Sequence, residues 1–193
     1  MTGLIDKAAL RLRMRGARRR LAEARPDAAA RAAALAPLER LPRFETFGAY
    51  HALGSEMDPG PLAKRLLETG ARLALPAAET PDGALRFRLW SPGDPLAPDA
   101  VGVPSPTLAA PEAYPRLVIA PLLAFDRAGG RLGQGGGHYD RTLQNLRAHG
   151  PVFVLGLAYA GQELEAIPME PHDERLDAIL TESGYIAVST EET

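Results

Sequence analysis

Apolar residues recur through the first segment of the chain at Leu4, Leu10, Met14, Ala17 and Leu21, with arginines filling the positions between them. Spacings of three, four and their multiples predict an amphipathic helix from Leu4 to about Arg25, ended by Pro26. Arg15, Arg18 and Arg19 read as its solvated face. Asp27 can cap a second, alanine-rich helix from Ala28 to about Leu38. From Thr46 the pattern changes. Phe47 to Leu53 predicts a strand, Asp58-Pro59 the start of a helix ending at Gly70, and Arg72 to Pro76 a second strand. Strand, helix, strand is the pattern of a parallel βαβ unit. Leu85 to Trp90 alternates strictly, which predicts a strand with one wet face. Residues 91–115 hold seven prolines and little periodicity, so a loop is expected there. Leu117–Ala120 and Val152–Ala158 are continuous apolar runs of the kind found in buried strands. Between them lie a glycine-rich loop to Gly137 and a helix from about His138 to His149. Shorter apolar elements follow at Leu176, Ile179 and Leu180 and at Tyr185–Val188. The prediction is one α/β domain over residues 1–193: a three-layer αβα sandwich with a mostly parallel sheet. Residues 1–41 form a helical basic arm packed on it.

Composition narrows the function classes. Hydrophobic residues make up 46% of the 193, too many for wholesale disorder. The absence of cysteine excludes disulfides, thiolate zinc sites, iron–sulfur clusters and a thiol nucleophile. No apolar run approaches the ~20 residues of a membrane span, and the first residues are too polar for a signal peptide. A soluble cytoplasmic protein is expected. The net charge of −2 conceals a split: residues 1–31 carry nine Lys+Arg against three Asp+Glu, and the rest carry thirteen against twenty-one. A basic arm on an acidic body calls for an anionic partner, which could be nucleic acid, membrane or a phosphorylated small molecule.

Six of the nine residues from 129 to 137 are glycine, between a buried strand and a helix. In an open α/β sheet that is where ligands bind, with backbone amides and the helix N-terminus aimed at an anion. There is no lysine after Lys64, so a Walker loop is excluded. Cations for a phosphate must come from Arg131, Arg141 or the arm. Asp140, in the first helical turn, could cap the helix or hold magnesium on a phosphate, with His172-Asp173 offering a second carboxylate. His138, Asp140, His172 and Asp173 would also admit zinc. Without thiolates, and beside a phosphate cradle, magnesium is preferred.

The run Phe125-Asp126-x-x-Gly129-x-Arg131-Leu132-Gly133-x-Gly135-Gly136-Gly137-x-Tyr139-Asp140-Arg141 resembles the signature of the 5-formyltetrahydrofolate cyclo-ligases, also called methenyltetrahydrofolate synthetases. Further blocks resemble the family in order: Lys7-x-x-Leu10-Arg11, Tyr50 to Glu56 with Asp58, Gly70 to Pro76, and Gln162 with His172-Asp173-x-x-Leu176-Asp177 and Thr181-Glu182. The resemblance implies ATP- and magnesium-dependent closure of 5-formyltetrahydrofolate to 5,10-methenyltetrahydrofolate, on a three-layer α/β sandwich. It implies that Lys7 and Arg11 hold ATP phosphates and that Arg131, Leu132, Gly133, Gln134, Gly135, Gly136, Gly137, His138 and Tyr139 bind nucleotide. Arg131 and Tyr139 take the catalytic positions. His51, Glu56, Gly135, Gly136, Gly137 and His138 face the folate, and Asp140 and Asp173 hold magnesium. A monomer without nucleic-acid or membrane partners is expected. The pattern departs at His138, where the family commonly has tyrosine, at Gln134, and at Ser105, where it commonly has glutamate. These departures leave room for a paralogue acting on another substrate, for example in thiamine metabolism. A nucleic-acid module led by the arm is a further reading, opposed by the lack of aromatic residues among its arginines.

Overall fold

Asp6 accepts a hydrogen bond from the Ala8 N–H (2.9 Å) and so starts helix α1, Lys7–Ala24, in a computed structural model that describes residues 6–188. Leu4, the predicted start of this helix, lies outside the described residues. Pro26 separates α1 from α2, Ala28–Leu35, and the predicted remainder of α2 is instead a single 3-10 turn at Leu38–Arg40. Then come β1 (Thr46–Gly48), α3 (Gly60–Glu68), β2 (Arg72–Ala78), β3 (Leu85–Leu89), β4 (Leu96–Pro98), β5 (Pro104–Pro106) and β6 (Leu117–Ala120). The chain continues with β7 (Ala124–Phe125), β8 (Arg131–Leu132), α4 (His138–Ala148), β9 (Phe153–Leu157), β10 (Ala178–Thr181) and β11 (Gly184–Ala187). The α3 start is fixed by Asp58, whose side chain accepts the Gly60 N–H at 2.8 Å.

The main sheet has seven strands in the order β11-β10-β9-β6-β1-β2-β3. Its five inner strands are parallel, and β3 and β11 run antiparallel at the edges. Side chains alternate between two cores, as the strand period of two requires. Phe47, Leu73, Leu117, Ile119, Leu155 and Leu180 pack under α2 and α3 with Leu62 and Leu66. Ala74, Val118, Ala120, Val154 and Ile179 face Leu143 and Leu146 of α4. Each fully buried leucine contributes about 1.5–3 kcal/mol relative to an exposed one, which is why neither face tolerates a polar stripe. The three predicted layers are therefore present.

Two expected elements come out differently. The strand predicted from Phe47 to Leu53 ends at Gly48. The following residues leave the sheet, and the Tyr50 hydroxyl donates to the Met57 carbonyl, holding the segment as a loop over the carboxyl end of β1. The glycine stretch is also not one loop. Gly129 and Gly130 turn the β7–β8 hairpin, whose strands pair Phe125 with Arg131 and Ala124 with Leu132. Asp126, 5% exposed, secures that turn by accepting the N–H groups of Ala128 (3.0 Å), Gly130 (2.7 Å) and Ile167 (2.7 Å). Gly129 has φ +82°, and a Cβ there would lie 2.5 Å from the Leu176 carbonyl, so both conformation and space demand glycine. The expected loop over 91–115 holds one short ribbon, β4 against β5.

A third apolar cluster seats the arm. Leu10 and Met14 of α1 pack on Leu123, Ala124, Leu132 and Ile167 of the hairpin region, which sets the helix against the outgoing glycine loop.

Candidate active site

Strand order reverses between β1 and β6, and ligands of open α/β sheets bind beyond the carboxyl ends of the strands at such a point. A cavity of about 610 Å³ opens there. It is walled by the segment after β1 (Tyr50, His51, Leu53, Glu56), the segment after β6 (Pro121, Leu122), the glycine loop, the start of α1, the β4–β5 ribbon and the stretch Glu170–Asp173. Lys7, Arg11, His51, Glu56, Arg131, Leu132, Gly133, Gln134, Gly135, Gly136, Gly137, His138, Tyr139, Asp140 and Asp173 all line it.

The arm reaches the loop with successive cations. Arg11 donates to the Gly133 carbonyl (3.1 Å), and Arg15 to the Gln134 side chain (2.9 Å) and carbonyl (3.1 Å). Lys7 bonds the Asp173 carboxylate at 2.8 Å and lies 3.5 Å from Glu170. Partial burial pushes the Asp173 carboxyl up, but the Lys7 ammonium, the Glu170 N–H and His172 outweigh it and hold the group below its ordinary range. Among the described residues, no backbone N–H from Gly133 to Gly137 donates to another protein group, and all five residues line the cavity. Gly137, at φ +66°, turns the chain into α4.

Arg131 and Tyr139 form the floor. The Arg131 guanidinium bonds Asp140 at 3.0 Å and lies 5.6 Å from the Tyr139 ring centroid. The Tyr139 hydroxyl is buried without a hydrogen-bond partner among the described residues. Burial, and then the Glu56 carboxylate, push its pKa well above the ordinary phenol value against the opposing Arg131 charge. It is therefore a protonated donor with nothing among the described residues to accept from it, which is an uncommon and costly state unless a ligand completes it.

His138 Nδ1 lies 2.8 Å from the Gly83 carbonyl in the β2–β3 connection. A carbonyl only accepts, so Nδ1 carries a proton in this contact. Asp140 accepts from Arg131 and the Glu174 N–H through Oδ1 alone, leaving Oδ2 without a partner among the described residues. Asp173 gathers with Glu170 and His172, their ligand atoms within 4.8 Å of one another. This group offers two carboxylates and an imidazole, and Asp140, the other expected ligand, lines the same cavity but is not part of it.

Two contributors were hidden in the sequence. Arg18, expected on a solvated face, is 5% exposed and buried beneath the cavity. Asp99 lines the cavity from the proline-rich stretch, where the Pro98-Asp99 pair and the turn to Gly102 were the available signal. Burial pushes the Asp99 carboxyl up, but the N–H groups of Ala78, Val103 and Val101 and the Ser105 hydroxyl outweigh it and hold it low. A carboxyl depressed by folding stabilises above its unfolded pKa and loses that contribution as pH falls through the folded value. Asp99→Asn is expected to lower the neutral-pH melting temperature by about 2–4 °C, the shift of roughly 1 kcal/mol in a chain this size. It should also flatten the fall in stability below about pH 4; thermal melts across pH 3–7 check both.

A family model described as the 5-formyltetrahydrofolate cyclo-ligase family matches residues 5–182. The chain belongs to that family. It is 35% identical over 143 residues to the 5-formyltetrahydrofolate cyclo-ligase of Escherichia coli, covering 72% of this chain and 78% of that one. The enzyme of that name from Mycolicibacterium smegmatis is 35% identical over 156 residues, with 74% and 77% covered. Among solved structures, Aquifex aeolicus 5,10-methenyltetrahydrofolate synthetase superposes with TM-score 0.73 at 25% identity, covering 97% and 95% of the two chains. A 5,10-methenyltetrahydrofolate synthetase from Mycoplasma pneumoniae shares the fold at TM-score 0.71 and 22% identity, with 92% of this chain and 99% of that one covered. Among the described residues, no helix is long and apolar enough to cross a membrane.

Proposed function

We propose that the protein closes 5-formyltetrahydrofolate to 5,10-methenyltetrahydrofolate at the expense of ATP. The formyl oxygen attacks the γ-phosphorus, the bond to the ADP oxygen breaks, and ADP departs. The 10-nitrogen then adds to the activated formyl carbon and gives up its proton. Expulsion of phosphate, carrying the former formyl oxygen, leaves the amidinium of the closed ring. The chemistry needs positioning and charge neutralisation more than a protein nucleophile, which fits a cysteine-free site.

In this reading Lys7, Arg11 and Arg131 meet the phosphates together with the free N–H groups of Gly133–Gly137, and Leu132, Gln134 and His138 complete the nucleotide side. Tyr139 donates its unpaired hydroxyl to the reacting oxygen. His51, Glu56 and the His138 side of the glycine loop take the folate. Asp140 and Asp173 would hold magnesium, which neutralises phosphate charge when bound. Lys7, Arg11 and Arg15 of the arm are engaged with the body of the protein around this cavity.

The observation that carries this reading is the convergence of arm cations, unpaired loop amides, two carboxylates and an unpaired buried phenol in one cavity. Purified protein with ATP, magnesium and 5-formyltetrahydrofolate should generate the near-ultraviolet absorbance of the methenyl product. Omission of ATP or addition of a chelator should abolish it. No absorbance under complete conditions sinks the assignment, and ATP binding without folate binding would favour a paralogue with another substrate.

A further inference from the structure

Arg18 does not line the cavity, yet its guanidinium holds the parts that do. Its Nε donates to the Ser55 hydroxyl (3.2 Å), and its Nη1 to the Leu122 carbonyl (3.1 Å) and to Glu56 Oε1 (3.4 Å). Ser55 and Glu56 follow β1, and Leu122 follows β6, so one side chain spans the two loops on either side of the point where strand order reverses. Glu56 is itself nearly enclosed, with a side chain 8% exposed, and its other oxygen accepts the Leu53 N–H at 3.0 Å. The phenols of Tyr50 and Tyr139 both respond to its charge. A carboxylate beside buried phenols needs a cation to stay in place, and the cation paired with it is supplied by the arm.

We propose that Arg18 is a positioning residue for substrate binding: it fixes Glu56 on the folate side of the cavity, so that docking of α1 completes both ends of the site. Lys7 and Arg18 are eleven positions apart, roughly 16 Å of helix rise, so a single rigid element presents cations at Asp173 and at Glu56. The proposal rests on the folate reading of the cavity given above.

The test is a double-mutant cycle with Arg18→Met and Glu56→Gln, read by steady-state kinetics, by calorimetric binding of 5-formyltetrahydrofolate without nucleotide, and by thermal melts. Arg18→Met should raise the KM and Kd for 5-formyltetrahydrofolate on the order of tenfold, with kcat and the ATP KM within about twofold of wild type. The loss should largely vanish in the Glu56→Gln background, because residues acting through one contact are not additive. A variant that melts lower but binds folate as wild type overturns the proposal, as does a loss of equal size in both backgrounds. If Arg18→Met does not fold, Arg18→Lys goes through the same cycle. A smaller folate-specific loss that disappears with Glu56→Gln supports the proposal, and no loss, or an equal one in both backgrounds, overturns it. Wild-type turnover is measured first. Its absence removes the folate reading itself, whereas turnover with a silent Arg18 removes only this role.

Discussion

Arg131→Met should lower kcat by about 10²–10³-fold, the usual consequence of removing one donor aimed at developing charge. Arg131 is the least replaceable side chain in the cavity. It is nearly enclosed, with 4% of its side chain exposed, it bonds Asp140 at 3.0 Å, and its Nε lacks a partner among the described residues. The guanidinium also reaches the Pro121 carbonyl at 3.4 Å, so it joins Asp140 to the segment after β6 at the cavity. Methionine preserves the aliphatic stem against the Tyr139 ring but removes every donor, and it strands Asp140. Lysine should restore little, because a point charge cannot serve both partners at once. Steady-state kinetics on protein shown to fold by circular dichroism measures the effect. A variant within a few-fold of wild type would remove Arg131 from the chemistry.

The second large effect falls on the arm. Lys7→Met combined with Arg11→Met should raise the ATP KM about 100-fold, since each cation bonded to an anion is worth about 1.5–3 kcal/mol. Lys7 is bonded to Asp173 with 19% of its side chain exposed, so the melting temperature should fall by a few degrees as well. Folate affinity measured without nucleotide should stay near wild type. The split is the informative part: Arg18, on the same helix, should show the converse pattern. ATP affinity unchanged in the double variant would leave the arm a structural brace.

The central architecture was legible because its signals are local. Leu117–Ala120 and Phe153–Leu157 are apolar on both faces since helices cover both, and α3 carries its own start signal in Asp58 and Pro59. The misreadings share a physical cause. Tyr50, His51 and Leu53 line the cavity, and a mostly apolar pattern alone does not separate a cavity wall from a strand face. Arg131 and Leu132 pair as a strand because Asp126 gathers two amides of the turn and that of Ile167, contacts invisible beside so many glycines. Arg18 was read as solvated because a stripe of arginines usually is. Only the distant loops at 55–56 and 122 show otherwise. The Lys7–Asp173 bond joins residues 166 positions apart, beyond any local pattern.

The resemblance in the glycine stretch pointed to residues that line one cavity, while the division of labour among the glycines came from packing. Gly129 serves the hairpin, whereas Gly133–Gly137 line the cavity with amides that no described residue takes up. The charge imbalance between arm and body has the same resolution. The arm's inner cations face the body's carboxylates and carbonyls around the cavity, and Arg13, Arg19 and Arg20 remain on the exposed side.

The most direct measurement is the fate of the formyl oxygen. Substrate carrying heavy oxygen in the formyl group should deliver that label to the released inorganic phosphate, one atom per turnover, while ADP stays unlabelled. Phosphate free of the label, with methenyl product still formed, would contradict activation of the formyl oxygen by phosphorylation in this cavity.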